Sequence, residues 1–229
     1  MISIIIATRD PGEELLHTLS ALVPAAADGT VRDLVIVDGG TTPDAAAFAD
    51  EAGSGFLSLP GRSRGALIAA GMAETRKDPW LLVLTAGTVL GAGWQREAAS
   101  FIERVERAGD PRGRAGTFRF TLDDLGTGAR FAEGWQRTAG RLAGAPTANG
   151  GLLVSRSVAE RLGGFADLPA PFDHADFLAR LGRGRLHGLA TPAVVMPPAR
   201  TENRAGPLAA ALLGLRLPPR LVARMAGRR

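Results

Sequence analysis

Four short apolar runs, each cut off by a polar or flexible tip, constrain this chain more than any other feature. Residues 2–7 (Ile-Ser-Ile-Ile-Ile-Ala), 34–37 (Leu-Val-Ile-Val), 56–59 (Phe-Leu-Ser-Leu) and 80–84 (Trp-Leu-Leu-Val-Leu) are too short for core helices. They read as strands buried on both faces. Helical patterns separate them. Leu15, Leu16, Leu19 and Leu22 share a face in residues 13–23, and residues 45–52 form a helix with Thr42 as its cap and Pro43 in its first turn. An Ala-rich helix then runs to Thr75, and residues 94–108 form another. The order β-α-β-α-β-α-β-α implies a parallel sheet with right-handed crossovers.

The second half is less regular. Residues 116–122 and 151–154 read as strands, and 128–142, 158–162 and 177–181 as helices. Residues 186–190 and 194–196 read as final strands. After Pro197-Pro198 comes an arm with two helical pieces, 208–215 and 221–225, split by Pro218-Pro219. The organisation expected is one domain over residues 1–196, in two parts (1–110 and 111–196), followed by a basic arm at 197–229.

Composition removes several classes of function. With no cysteine among 229 residues there is no disulfide framework and no thiol nucleophile, which fits a reducing, cytoplasmic compartment. The first residues read as a strand rather than a signal peptide. No run approaches the roughly 18 apolar residues of a membrane span. The net charge of +4 is uneven: residues 200–229 hold seven Arg and one Glu, leaving twenty basic and twenty-two acidic residues before them. A basic tail without interleaved aromatics does not point to nucleic acid. It suits a peripheral contact with an anionic inner-membrane surface, or an arm packed on the body or on a second subunit.

Chemistry is expected where strands end. In a parallel sheet the tips Thr8-Arg9-Asp10, Asp38-Gly39-Gly40 and Thr85-Ala86-Gly87 share one edge and line a common crevice. Asp38 could accept hydrogen bonds from a base or ribose, and Gly39 and Gly40 let a ligand approach the backbone. Arg62 and Arg64, entering the next helix, could contact a diphosphate. Asp38, Arg62 and Arg64 are expected to converge on one pocket. The plainer reading is a strand-to-helix turn with solvated arginines. A Ser-hydrolase elbow, a P-loop and the Rossmann glycine fingerprint are all missing, and no His/Asp/Glu group has zinc spacing.

These stretches, in this order, resemble family 2 glycosyltransferases. The resemblance rests on residues 2–10, Val37-Asp-Gly-Gly-Thr-Thr-Pro-Asp44, Gly61-Arg-Ser-Arg64, the strand ending at Thr85-Ala-Gly87, Asn149-Gly-Gly-Leu-Leu-Val-Ser-Arg156 and Leu162-Gly-Gly-Phe165. Within that family the chain is most similar to the bacterial selenodomain- or radical-SAM-associated subgroup. The resemblance implies a GT-A fold: a Rossmann-type, mostly parallel sheet flanked by helices, with a smaller acceptor-side half. It also implies a nucleotide-sugar donor, a hydroxyl acceptor and, typically, a divalent cation. Thr8, Arg9 and Asp38 would lie at the nucleotide, Arg62 or Arg64 at uracil or the diphosphate, and Asn149, Gly150 and Gly151 on the acceptor side.

Of the positions that depart from the family pattern, two bear on the chemistry. The acidic metal motif falls on Thr85-Ala86-Gly87, where both usual carboxylates are missing. That loss puts the cation in doubt and leaves Arg9, Arg62 or Arg64 to offset the charge of the leaving diphosphate. The pair expected to hold the general base falls on Asp173-His174, so either residue could serve, with Asp176 nearby. Otherwise Asp173 and Asp176 flank a surface helix and His174 caps its first turn. An inverting, metal-independent transferase is the reading that follows; the alternative is an inactive homologue that binds a nucleotide or a protein.

Overall fold

The computed structural model describes residues 1–75, 78–109, 113–122, 150–182, 184–196, 213 and 217–225. In chain order the elements are β1 (Ile2–Thr8), α1 (Glu14–Ala27), β2 (Val31–Asp38), α2 (Asp44–Glu51), β3 (Gly55–Ser58), α3 (Arg64–Glu74), β4 (Trp80–Thr85), β5 (Thr88–Leu90) and α4 (Trp94–Ala108). The second half adds β6 (Ala115–Leu122), β7 (Leu152–Ser155), α5 (Arg156–Arg161), α6 (Phe172–Leu181), β8 (Leu186–Val195) and α7 (Pro219–Met225). The helix expected at 128–142 lies outside the described residues, as does most of the one at 208–215.

Among the described residues the eight strands form one sheet, ordered β3-β2-β1-β4-β7-β6-β8-β5. The first four are parallel, as the alternating apolar runs require. Polarity reverses at β7, which lies antiparallel between β4 and β6. β8 continues through Thr191 and Pro192 as one ten-residue strand instead of two pieces. It pairs parallel with β6 on one side and antiparallel with the short β5 on the other.

Side-chain alternation along the strands makes two cores, one on each face of the sheet. Ile2, Ile4, Ile6, Leu82 and Leu84 pack with Leu15 and Leu22 of α1 and Trp94 and Phe101 of α4. Ile5, Ala7, Val35, Val37, Leu81 and Val83 pack with Leu67 and Ile68 of α3, Val158 of α5 and Phe177 of α6. Helices therefore cover both faces, which is why β1 and β4 are buried throughout.

A third cluster ties the C-terminal arm down. Phe172, at the start of α6, packs with Val222 and Ala223 of α7, and Leu168, Leu213 and Leu217 surround them. Pro219 opens α7, where its missing N–H costs nothing. Outward, Leu221 and Met225 remain exposed. No helix among the described residues is long and apolar enough to cross a membrane.

Candidate functional site

Register brings the strand tips together. Thr8 is paired with Asp38, and Ala7 with Thr85, so three loops leave the same edge of the sheet side by side. Asp38 is buried, and its Oδ1 accepts from the backbone N–H groups of Gly40 and Asp10, both at 3.1 Å. Burial raises its pKa, and those two hydrogen bonds work against the rise. Gly39 N–H donates to the Thr8 carbonyl at 2.9 Å, stitching the first two tips together.

Asp10 belongs to the first tip, but the sequence pattern assigns it no role of its own. It sits at φ 46°, an uncommon conformation that Asp tolerates better than most residues. From there its Oδ1 accepts from the backbone N–H groups of Thr41 (2.5 Å) and Thr42 (2.8 Å). Those bonds hold its carboxyl below the ordinary range. Thr42 therefore does not cap α2: the N-cap position is Pro43, with no side-chain cap. Asp10, 32 residues upstream of Thr42, instead holds the amides of the two residues that lead into the helix.

The arginines part company. Arg9 Nη2 donates to the Arg62 carbonyl at 2.9 Å. Arg62 itself is exposed, 3.9 Å from the equally exposed Asp167. Arg64 turns inward. Its Nη1 donates to Thr85 Oγ1 at 3.1 Å, and its Nη2 reaches Asp173 Oδ1 at 2.8 Å and His174 Nδ1 at 2.6 Å. Of Asp38, Arg62 and Arg64, only Arg64 carries its charge to the tip of β4.

Local sequence explains this meeting across 109 residues. Ser63 caps α3, accepting from Ala66 N–H, and also donates to Asp167 Oδ1 at 2.5 Å. Gly65 N–H donates to the Leu168 carbonyl at 3.0 Å. A Cβ at Gly65 would stand 1.8 Å from the Ala166 carbonyl oxygen, so only glycine lets the 166–168 loop lie on the first turn of α3. α6 begins four residues later and delivers Asp173 and His174 to Arg64.

Asp173, His174 and Asp176 are all buried, so α6 is not the surface helix of the plainer reading. Burial alone would raise the Asp173 carboxyl; the positive charge of Arg64 outweighs it and holds the group well below the usual carboxylate range. Burial also pushes His174 below its ordinary value, and the Arg64 charge adds to that, while Asp173 pulls the other way. Because Arg64 can only donate, His174 Nδ1 accepts, and the hydrogen-bond pattern assigns the imidazole proton to Nε2. Among the described residues neither His174 Nε2 nor Arg64 Nε has a hydrogen-bond partner. Asp176 faces elsewhere: it is held by Arg180 at 2.7 Å and by Arg220 of α7 at 2.9 Å.

The tip of β4 is fixed by its own backbone. Gly87 adopts φ 84°; its N–H donates to the buried Thr18 Oγ1 and its carbonyl accepts from Met196 N–H, both at 2.9 Å. Ala86 is buried beside it, and Thr85 is engaged by Arg64. On the acceptor side Gly150 and Gly151 are buried against β6 and β4, where a Cβ would meet the Phe118 carbonyl and Leu84 respectively. Asn149 lies outside the described residues.

No family model matches the chain, and no curated protein matches it in sequence. Solved structures do. Mannosyl-3-phosphoglycerate synthase from Rubrobacter xylanophilus is similar over 100% of this chain and 75% of its own, with TM-score 0.65 and 12% identity. Glucosyl-3-phosphoglycerate synthase from Mycobacterium tuberculosis, in complex with Mn2+ and UDP-glucose, is similar over 99% and 78%, with TM-score 0.57 and 15% identity. A mannosyltransferase from Pyrobaculum calidifontis, in complex with GDP-mannose and Mn2+, is similar over 99% and 72%, with TM-score 0.58 and 13% identity. The chain has the GT-A fold of these glycosyltransferases.

A divalent cation is the group such a fold implies, and it needs hard oxygen donors. Here the β4 tip offers Thr85, Ala86 and Gly87, and the one hydroxyl among them accepts from a guanidinium. Among the described residues no group of three or more His, Asp or Glu side chains could hold a metal ion. The donor set does not fit a cation at this tip.

Proposed function

We propose that the chain is a glycosyltransferase that moves a sugar from a nucleotide-sugar donor to a hydroxyl acceptor, with inversion and without a metal. The observation that carries this reading is Arg64: a cation held at the C-terminal tip of a central strand by Thr85 and Asp173, in the crevice where open α/β sheets bind ligands. The three tips would hold the nucleotide, with Thr8, Asp38, Gly39 and Gly40 lining one wall and Arg9 and Arg62 on the exposed rim. Asp173 would take the proton of the acceptor hydroxyl. The acceptor oxygen then bonds to the anomeric carbon as the bond from that carbon to the diphosphate oxygen breaks, and the diphosphate leaves with the electron pair. His174, whose Nδ1 faces Arg64, would orient the group and donate from Nε2 rather than accept a proton there.

The test is binding and turnover of UDP-glucose and GDP-mannose, measured in EDTA and again with Mn2+. Binding and transfer in EDTA are expected. Activity that requires added metal would contradict the reading. A second reading, a binding protein without turnover, is favoured by one observation: Asp173 is locked to Arg64 and carries no free charge. It predicts a nucleotide-dependent rise in melting temperature with no product from any donor.

A further inference from the structure

Arg64 serves two partners with a single charge. Its guanidinium spans from Thr85, at the tip of β4, to Asp173 on α6, and its side chain retains 10% exposure. Asp173 is wholly buried and fixed on a helix, so it cannot follow a ligand. Arg64 stands at the first position of its helix on a long stem, and its Nε–H has no partner among the described residues. Of the two ions, only the guanidinium can move.

We infer that Arg64 is a shared counter-ion: in the ligand-free protein it neutralises Asp173, and the diphosphate of a nucleotide sugar competes with Asp173 for the same guanidinium. The inference rests on the nucleotide-sugar reading and adds a coupling to it. A diphosphate at the β4 tip meets a bidentate donor suited to its oxygens. Drawing Arg64 toward the diphosphate strips Asp173 of its main counter-charge. A carboxylate left buried beside a neutral imidazole then holds a proton more readily, which is what a general base requires. Donor binding thereby arms the base, and a carboxylate locked in the free protein becomes a consequence of design rather than a sign of inactivity. Arg9 and Arg62 cannot share this role: one donates to a backbone carbonyl and the other sits exposed beside Asp167.

Competition has an unusual signature. Asp173→Asn removes the rival anion, so UDP-glucose and GDP-mannose should bind about tenfold tighter, while Arg64→Gln should weaken binding by at least about tenfold. In the double variant the tightening should vanish, which separates competition for Arg64 from a general loss of negative charge. Calorimetry in EDTA on the full chain reads all four proteins. Should Asp173→Asn not fold, the wild type gives a second readout: the His174 Nδ1 resonance, assigned with His174→Gln, should shift when UDP-glucose removes its Arg64 donor. Binding that Asp173→Asn leaves unchanged or weakens, a tightening that persists in the double variant, or a static His174 signal on saturation overturns the coupling. Absence of binding in every protein overturns the nucleotide-sugar reading beneath it.

Discussion

Gly40 and Asp10 interlock: a Cβ on Gly40 would stand 2.2 Å from Asp10 Oδ1 and 2.4 Å from the Asp10 backbone nitrogen. The oxygen involved is the one that holds the Thr41 and Thr42 amides. Gly40→Ala should therefore displace the clamp that seats the second tip on the first, lowering stability by about 2 kcal/mol in urea unfolding, typical of overpacking. Gly188→Ala is the control, since a Cβ there meets nothing within 4 Å, and it should fall within about 0.5 kcal/mol of wild type. Equal losses in the two variants would rule out the interlock.

Restoring an acidic residue at the β4 tip should not restore a metal site. Gly87 has positive φ, and both its backbone groups are engaged, so an Asp there would be strained by roughly 1–2 kcal/mol. Gly87→Asp is expected to melt lower than wild type and to show no further shift with millimolar Mn2+. A Mn2+-dependent rise in its melting temperature would mean that the tip can present a carboxylate after all.

The first half of the fold was legible because it is local. Each apolar run in residues 2–7, 34–37 and 80–84 ends where its strand ends, within a residue or two. The second half depends on pairings that no period in the sequence announces. β5 is three residues long and finds its partner more than a hundred positions away. The runs 186–190 and 194–196 read as two strands, yet β8 is continuous through Thr191 and Pro192, with a register shift against β6 near Thr117 and Arg119. The same limit applies at the site. That Thr8, Asp38 and Thr85 share an edge follows from parallel order alone. That Arg64 turns inward and Arg62 outward depends on where a loop around Ala166 lands, and the visible trace of that in the sequence is Gly65.

The arm is held by apolar contact, so its inner and outer faces should respond differently. Val222 is fully buried against Phe172, whereas Leu221 is 45% exposed. Val222→Ala should cost roughly 2 kcal/mol and Leu221→Ala no more than about 0.5. Arg220→Ala removes one of two cations on Asp176 and leaves Arg180 in place, so it should cost at most about 1 kcal/mol. An arm that leaves the body in solution would show no difference between Val222 and Leu221.

Acid sensitivity should begin at His174. Its folded pKa lies below the ordinary 6.5 because it is buried and Arg64 approaches Nδ1. Between 6.5 and that folded value the unfolded chain binds a proton that the folded chain refuses. Stability is thus full above 6.5 and falls as pH drops, by up to about 1.4 kcal/mol per pH unit. Asp173 does not contribute in this window: its pKa is depressed from 3.8, so the stability it supplies is lost only below that value. His187 is also held down, by burial and then by Arg114, but it is far less enclosed and should add a smaller share. Melting temperatures from pH 7.5 to 5 should therefore fall in the wild type, fall less in His174→Gln, and change little between wild type and His187→Gln. An unaltered pH slope in His174→Gln would show that burial and Arg64 do not hold the imidazole neutral, and the tautomer assigned to His174 would fall with it.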